Sequence, residues 1–177
     1  MARIQLLDDE PHILKALQRV IRREGWEADV FTDAEEALVA LGKNEYAVIV
    51  VDFQMPQING VTYLQFARQT QPDAVRMVLT GHGDGPTMMK AINLAEVYRF
   101  LSKPWDDYEI VAALRSSIDL YQLRNENRRL LEQVRRQQGE LDRQGRELVR
   151  LEQENPGITQ VERDEDGNVI VGDFDSL

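Results

Sequence analysis

The chain has 177 residues, 42% hydrophobic and 29% charged, with a net charge of −10 and no cysteine. Without thiols there are no disulfides, thiolate metal centres or cysteine nucleophiles, and the acidic balance argues against direct nucleic-acid binding as the main activity. No apolar run approaches the roughly 20 residues that span a bilayer, and the opening MARIQLLDDEPH meets acids too early for a signal peptide, so a cytoplasmic location without a membrane partner is expected.

Charge separates three segments. Residues 1–122 hold 12 basic and 18 acidic side chains, residues 123–154 hold 8 and 7, and residues 155–177 hold 1 and 6. In the first segment, apolar runs with strand character fall at Ile4–Leu7, Ala28–Phe31, Ala47–Val51, Val75–Leu79 and Tyr98–Leu101. Helical spacing of apolar residues fills the intervals: Ile13 to Ile21, Ala34 to Leu41, Val61 to Ala67, Met88 to Ala95 and Ile110 to Ile118. Glycines and prolines, among them Gly25, Gly42, Pro72, Gly81 and Pro104, mark the boundaries. Thr32 or Asp33 suits the N-cap of the second helix, with Glu35 and Glu36 in its first turn. Five βα units in succession predict an α/β, doubly wound, five-stranded parallel sheet. The unbroken run Ala47–Val51 fits a central strand buried on both faces.

Ligands of such sheets bind beyond the carboxyl ends of the strands. Asp8, Asp9 and Glu10 follow the first strand, Asp52 the third, Thr80 the fourth, and Ser102, Lys103 and Pro104 the fifth. Taken singly, each has a bland reading: a capping turn, a turn former, a loop. Together they bring three carboxylates, a hydroxyl and an ammonium to one crevice. Crowded carboxylates raise one another's pKa, and a hard divalent cation relieves that repulsion. Mg²⁺ takes oxygen ligands and favours one or two carboxylates plus a phosphate. One carboxylate is then left to attack phosphorus and form an acyl phosphate, with Lys103 and Thr80 neutralising or hydrogen-bonding the transferring group.

The motifs LLDDE, VDFQMP, VLTG and FLSKPW, in that order, resemble the receiver domain of two-component response regulators over residues 1–121. The resemblance implies a flavodoxin-like strand order 2-1-3-4-5 and Asp52 as phospho-acceptor for a partner histidine kinase. It implies Mg²⁺ held by Asp9, Asp52 and the Gln54 main-chain carbonyl, with Asp8 acting through water. Thr80 would be the switch hydroxyl, Lys103 the partner of the phosphoryl group, and Phe100 the aromatic switch. Gln54 and His82 would tune hydrolysis, and the Lys103–Pro104 bond would be cis. Phosphorylation would draw Thr80 inward, shift the glycine-rich loop 80–86, let Phe100 turn in, and alter the surface of the fourth helix, fifth strand and fifth helix.

Residues 122–154 contain no proline. A heptad frame with Leu120 at a places Leu120, Asn127, Val134, Leu141 and Leu148 at a, and Leu123, Leu130, Gln137, Gln144 and Leu151 at d. This predicts a coiled-coil extension and a parallel homodimer whose register Asn127 selects. Gln137, Gln144, Gly139 and Gly145 weaken its distal half. Arg128, Arg129, Arg135 and Arg136 are interleaved with Glu126, Glu132 and Glu140 and read as a solvated face rather than a DNA-binding region. Residues 155–177 form an acidic tail in which DEDG suggests a β-hairpin, with disorder as the alternative. The expected function is a response regulator, not an enzyme beyond its own phosphorylation and dephosphorylation, signalling through contacts with an unidentified protein target. The alternatives are a regulatory fragment of a larger transcriptional or cyclic-di-GMP phosphodiesterase regulator, to which YRFLSKPWDD points, and a phosphorelay shuttle.

Overall fold

The computed structural model describes residues 2–56, 58–81 and 95–156. Five strands, β1 (Arg3–Leu7), β2 (Glu27–Phe31), β3 (Val48–Asp52), β4 (Val75–Thr80) and β5 (Arg99–Ser102), alternate with α1 (Pro11–Arg23), α2 (Ala34–Leu41) and α3 (Gly60–Thr70), and α4 (Asp107–Glu154) closes the series. Every pairing is parallel and the order is β2-β1-β3-β4-β5. The expected doubly wound sheet is therefore present, with strand ends displaced by a residue or so from the apolar runs. The helical pattern Met88–Ala95, apart from Ala95, and residues 157–177 with their expected hairpin lie outside the described residues.

Alternation along each strand divides the core into two layers. Ile4, Leu6, Val48, Val50, Met77 and Leu79 face α1 and the start of α4, where Leu17, Ile21, Leu114 and Ile118 cover them. Leu7, Ile49, Val51 and Val78 face α2 and α3, meeting Ala37, Leu41, Leu64 and Ala67. Because β3 is covered on both sides, all five of its residues are buried. At the level of local structure, α2 and α3 each begin on a side-chain cap and α1 begins on a proline. Asp33 rather than Thr32 caps α2, accepting from Glu35 and Glu36 N–H at 2.8 and 3.0 Å. Pro11 occupies the first turn of α1 and Asn59 caps α3 through Val61 N–H at 2.9 Å, as the geometry of orphan N–H groups demands.

Two polar side chains enter the second layer. Gln5 is fully buried and stays satisfied by donating to Ala37 O at 2.9 Å and accepting from Tyr63 Oη–H at 2.7 Å. Arg76, 1% exposed, donates to the carbonyls of Ala95 and Ala74, both at 2.9 Å, and its guanidinium lies 3.4 Å from Glu96. Burial lowers its pKa while Glu96 opposes the shift. These bonds offset the cost of burying a charge and tie β4 to the chain that leads into β5.

The chain divides into two compact units, residues 1–127 and 128–177. In the second, the described helix is exposed almost throughout, with Leu130, Leu131, Val134, Leu141 and Leu148 each at least 48% accessible. Among the described residues no helix is long and apolar enough to cross a membrane.

Candidate functional site

Parallel register decides what gathers at the carboxyl edge. β1 and β3 pair through Leu7 and Val51, so Asp8 and Asp52 emerge side by side. β4 and β5 pair through Thr80 and Ser102, and Lys103 N–H donates to Thr80 O at 2.7 Å. The cis Lys103–Pro104 bond follows directly. As a result one oxygen each of Asp8, Asp9 and Asp52 lies within 4.8 Å of the others.

Lys103 reaches into this group. Its Nζ is 2.7 Å from Asp8 Oδ2, 2.7 Å from Asp52 Oδ1 and 3.4 Å from Glu10 Oε1. The Asp8 contact is an ion pair rather than a well-aligned hydrogen bond. Asp8 and Asp52 are buried while Asp9 is exposed. Backbone donors complete the carboxylate shells: Glu10 N–H to Asp8 Oδ1 at 2.9 Å, and Gln54 N–H to Asp52 Oδ2 at 3.1 Å. Burial, seconded by the Asp8 charge, raises the Asp52 pKa against the opposing pull of Lys103 and the Gln54 N–H. Burial works to lower the pKa of Lys103, but Asp52 and Asp8 together more than offset it, so the ammonium is held more firmly than in water.

Oxygen-only donors, two of them buried and all close enough to share one ion, suit Mg²⁺. Lys103 gives the cluster partial neutralisation, leaving a net negative charge for a dication to meet. Asp9 also borders a cleft of about 80 Å³ with Thr32, Ala34, Met55, Pro56 and Ile58.

The structure brings Asp8, Asp9, Asp52 and Lys103 together and places the buried Thr80 at the end of the neighbouring strand. Gln54 joins through its backbone N–H. Phe100 is half-buried on β5 against the second core layer, and His82 lies outside the described residues. Two participants were not foreseen as such. Glu10 was visible beside the acid pair, yet nothing local indicated that it would approach Lys103. Gly60 was visible as a glycine after VDFQMP, but its reason is tertiary: it starts α3 directly against the end of β3, and an added Cβ would lie 2.9 Å from the Asp52 carbonyl carbon.

A parallel sheet with an acidic cluster and a lysine at its carboxyl edge defines a phospho-accepting signalling domain. The chain belongs to the response regulator receiver domain family, which it matches over residues 4–115. Phosphorylation and Mg²⁺ are standard for this family. The chain is 32% identical over 123 residues to the hydrogenase transcriptional regulatory protein HoxA of Bradyrhizobium diazoefficiens, covering 70% of this chain and 25% of HoxA. The structure resembles the adenylate cyclase from Rhodopirellula baltica (TM-score 0.69, 36% identity, 73% of this chain and 96% of that one). It also resembles the signal receiver domain of an HD domain-containing protein from Pseudomonas fluorescens Pf-5 (TM-score 0.67, 35% identity, 71% and 92%). The chain thus spans about a quarter of the length of HoxA.

Proposed function

We propose that Asp52 is the phospho-acceptor of this receiver and that a histidine kinase is its donor. The observation that carries the reading is the convergence of Asp8, Asp9 and Asp52 on one point, with Lys103 Nζ 2.7 Å from both Asp8 and Asp52. An Asp52 oxygen attacks the phosphorus of a phosphohistidine. The P–N bond breaks, its electron pair leaves with the imidazole, and the product is an acyl phosphate. Lys103 neutralises the transferring oxygens from the β5 side, and the Thr80 hydroxyl donates to one of them. Asp9, Asp52 and the Gln54 carbonyl would hold Mg²⁺, with Asp8 in its water shell. Bound there, the ion would supply charge neutralisation and orientation for phosphoryl transfer. Gly60 keeps the end of β3 rigid by packing α3 on it, which holds the nucleophile in one position.

Output runs through protein contacts of a parallel dimer. Support comes from the apolar a and d positions of α4: Leu123, Leu130, Val134, Leu141 and Leu148 are all exposed in a single chain, and a second copy would cover them. Leu120 and Leu151 extend the same stripe and Asn127 sets its register. A second reading, the receiver of a longer regulator, is favoured by the quarter of HoxA that the match covers.

Acetyl phosphate with Mg²⁺ is the test. The full chain gains the mass of one phosphoryl group and Asp52→Ala gains none; labelling of the Ala variant refutes the assignment. Sedimentation with and without beryllofluoride measures whether activation changes assembly. A dimer that survives truncation after residue 121 removes α4 from the interface.

A further inference from the structure

Although interleaved with acids along the sequence, the arginines of α4 concentrate on the outward side of the helix. With Leu120 at a, the outward positions b, c and f between residues 128 and 153 hold seven arginines against Glu132 and Asp142, a net charge of +5. Glu126, Glu140 and Glu147 all fall at g, on one flank of the seam. Column c is an unbroken ladder: Arg129, Arg136, Arg143 and Arg150, one rung roughly every 10 Å over roughly 32 Å. All four are exposed. Arg150 pairs with Glu147 at 2.7 Å. Among the described residues, Arg129, Arg136 and Arg143 have no ion-pair partner.

We propose that this arginine face is the docking surface of the chain's own acidic tail. Residues 155–177 carry six acids and one arginine, net −5, equal and opposite to the outward face of the helix. The tail follows the helix stop Asn155-Pro156-Gly157, which favours reversal of direction. An extended chain at about 3.3 Å per residue outreaches the ladder. Tethered directly to the helix end, the tail sits at an effective concentration on the order of millimolar, far above that of a free polyanion. The surface lies opposite the a and d seam, so tail docking and pairing of two helices are compatible. Docking would mask this positive face and close it to nucleic acid.

The absence of native cysteine makes the experiment direct. Dyes are attached to Gly139→Cys, at an f position where an added Cβ meets nothing within 4 Å, and to Ser176→Cys in the full chain. High energy transfer is expected at low salt, unchanged on dilution. It should be lost at about 1 M salt, where the Debye length is roughly 3 Å, and lost at low salt in Arg136→Gln/Arg143→Gln with helicity by circular dichroism preserved. Transfer that ignores both salt and these substitutions, or that vanishes on dilution, overturns the proposal. In parallel, Asp164→Asn/Glu165→Gln/Asp166→Asn should raise the salt needed to elute the chain from immobilised heparin. Equal elution of the two proteins overturns it. Duplex DNA bound as tightly by the unmodified chain as by the tail variant also overturns it and assigns the face to nucleic acid.

Discussion

Gly60→Ala is expected to damage phosphorylation more than folding. The new Cβ would stand 2.9 Å from the Asp52 carbonyl carbon and 3.2 Å from Phe53 Cα, and closer still to the Asp52 carbonyl oxygen. All three are backbone atoms, which cannot rotate away. Relaxed carbon–oxygen contacts settle at about 3.3 Å or more, so the start of α3 and the end of β3 must part by more than about 1 Å. Overpacking of this kind costs about 1–3 kcal/mol, less than the roughly 5–15 kcal/mol by which folded domains are ordinarily stable. The same displacement moves Asp52 relative to Lys103, which now sits 2.7 Å away, and a misplacement of about 1 Å at a reacting centre costs on the order of 10²-fold in rate. Thermal unfolding and the rate of labelling by acetyl phosphate and Mg²⁺ are measured on the same preparation. A variant that melts a few degrees lower yet labels at the parental rate would show that contact with α3 does not position the nucleophile.

Removing Lys103 should make stability depend on Mg²⁺. Lys103→Ala leaves Asp8 and Asp52 without their shared ammonium; without metal the melting temperature falls, and titrating Mg²⁺ restores more of it than in the parent. Equal Mg²⁺ responses would contradict this. Alkaline pH probes a region far from the site. Burial, with the hydrogen bond to Asp29 at 2.8 Å, pushes the Tyr46 phenol up to about 12 from an unfolded value near 10. The folded state keeps a proton that the unfolded chain releases, so this contribution is complete below about pH 10 and is lost as pH climbs to about 12. Burial raises Tyr63 in the same sense. Denaturant midpoints across that range should fall, and Tyr46→Phe should flatten the slope while costing about 1 kcal/mol for the lost bond. On α4, Val134→Lys places a charge at an a position, and sedimentation should report dissociation to monomer; an unchanged dimer would exclude the seam.

Much of the fold was legible because periodicity is a local property. Alternation and 3.6-residue spacing marked the strands and helices before any contact was known, and Asp8, Asp9, Asp52, Thr80 and Lys103 were identified because strand ends are places in the sequence as much as in space. The heptad stripe of α4 was legible for the same reason. Other features depended on which strands become neighbours. Arg76 sits inside an apolar run, and only the return of the chain through Ala95 and Glu96 makes it a satisfied buried charge. Gln5 and Tyr63, distant in sequence, meet because β1 lies beside β3, on which α3 packs.

The order of residues by itself determined the alternating elements, the polar groups at their ends and the charge pattern of the long helix, since each follows from spacing along one chain. Only the tertiary structure decided that Lys103 is shared between Asp8 and Asp52 with Glu10 nearby, and that Gly60 must lack a side chain. Those outcomes depend on distances of a few ångströms between segments whose neighbours are set by sheet order and register, and spacing along the chain carries no record of them.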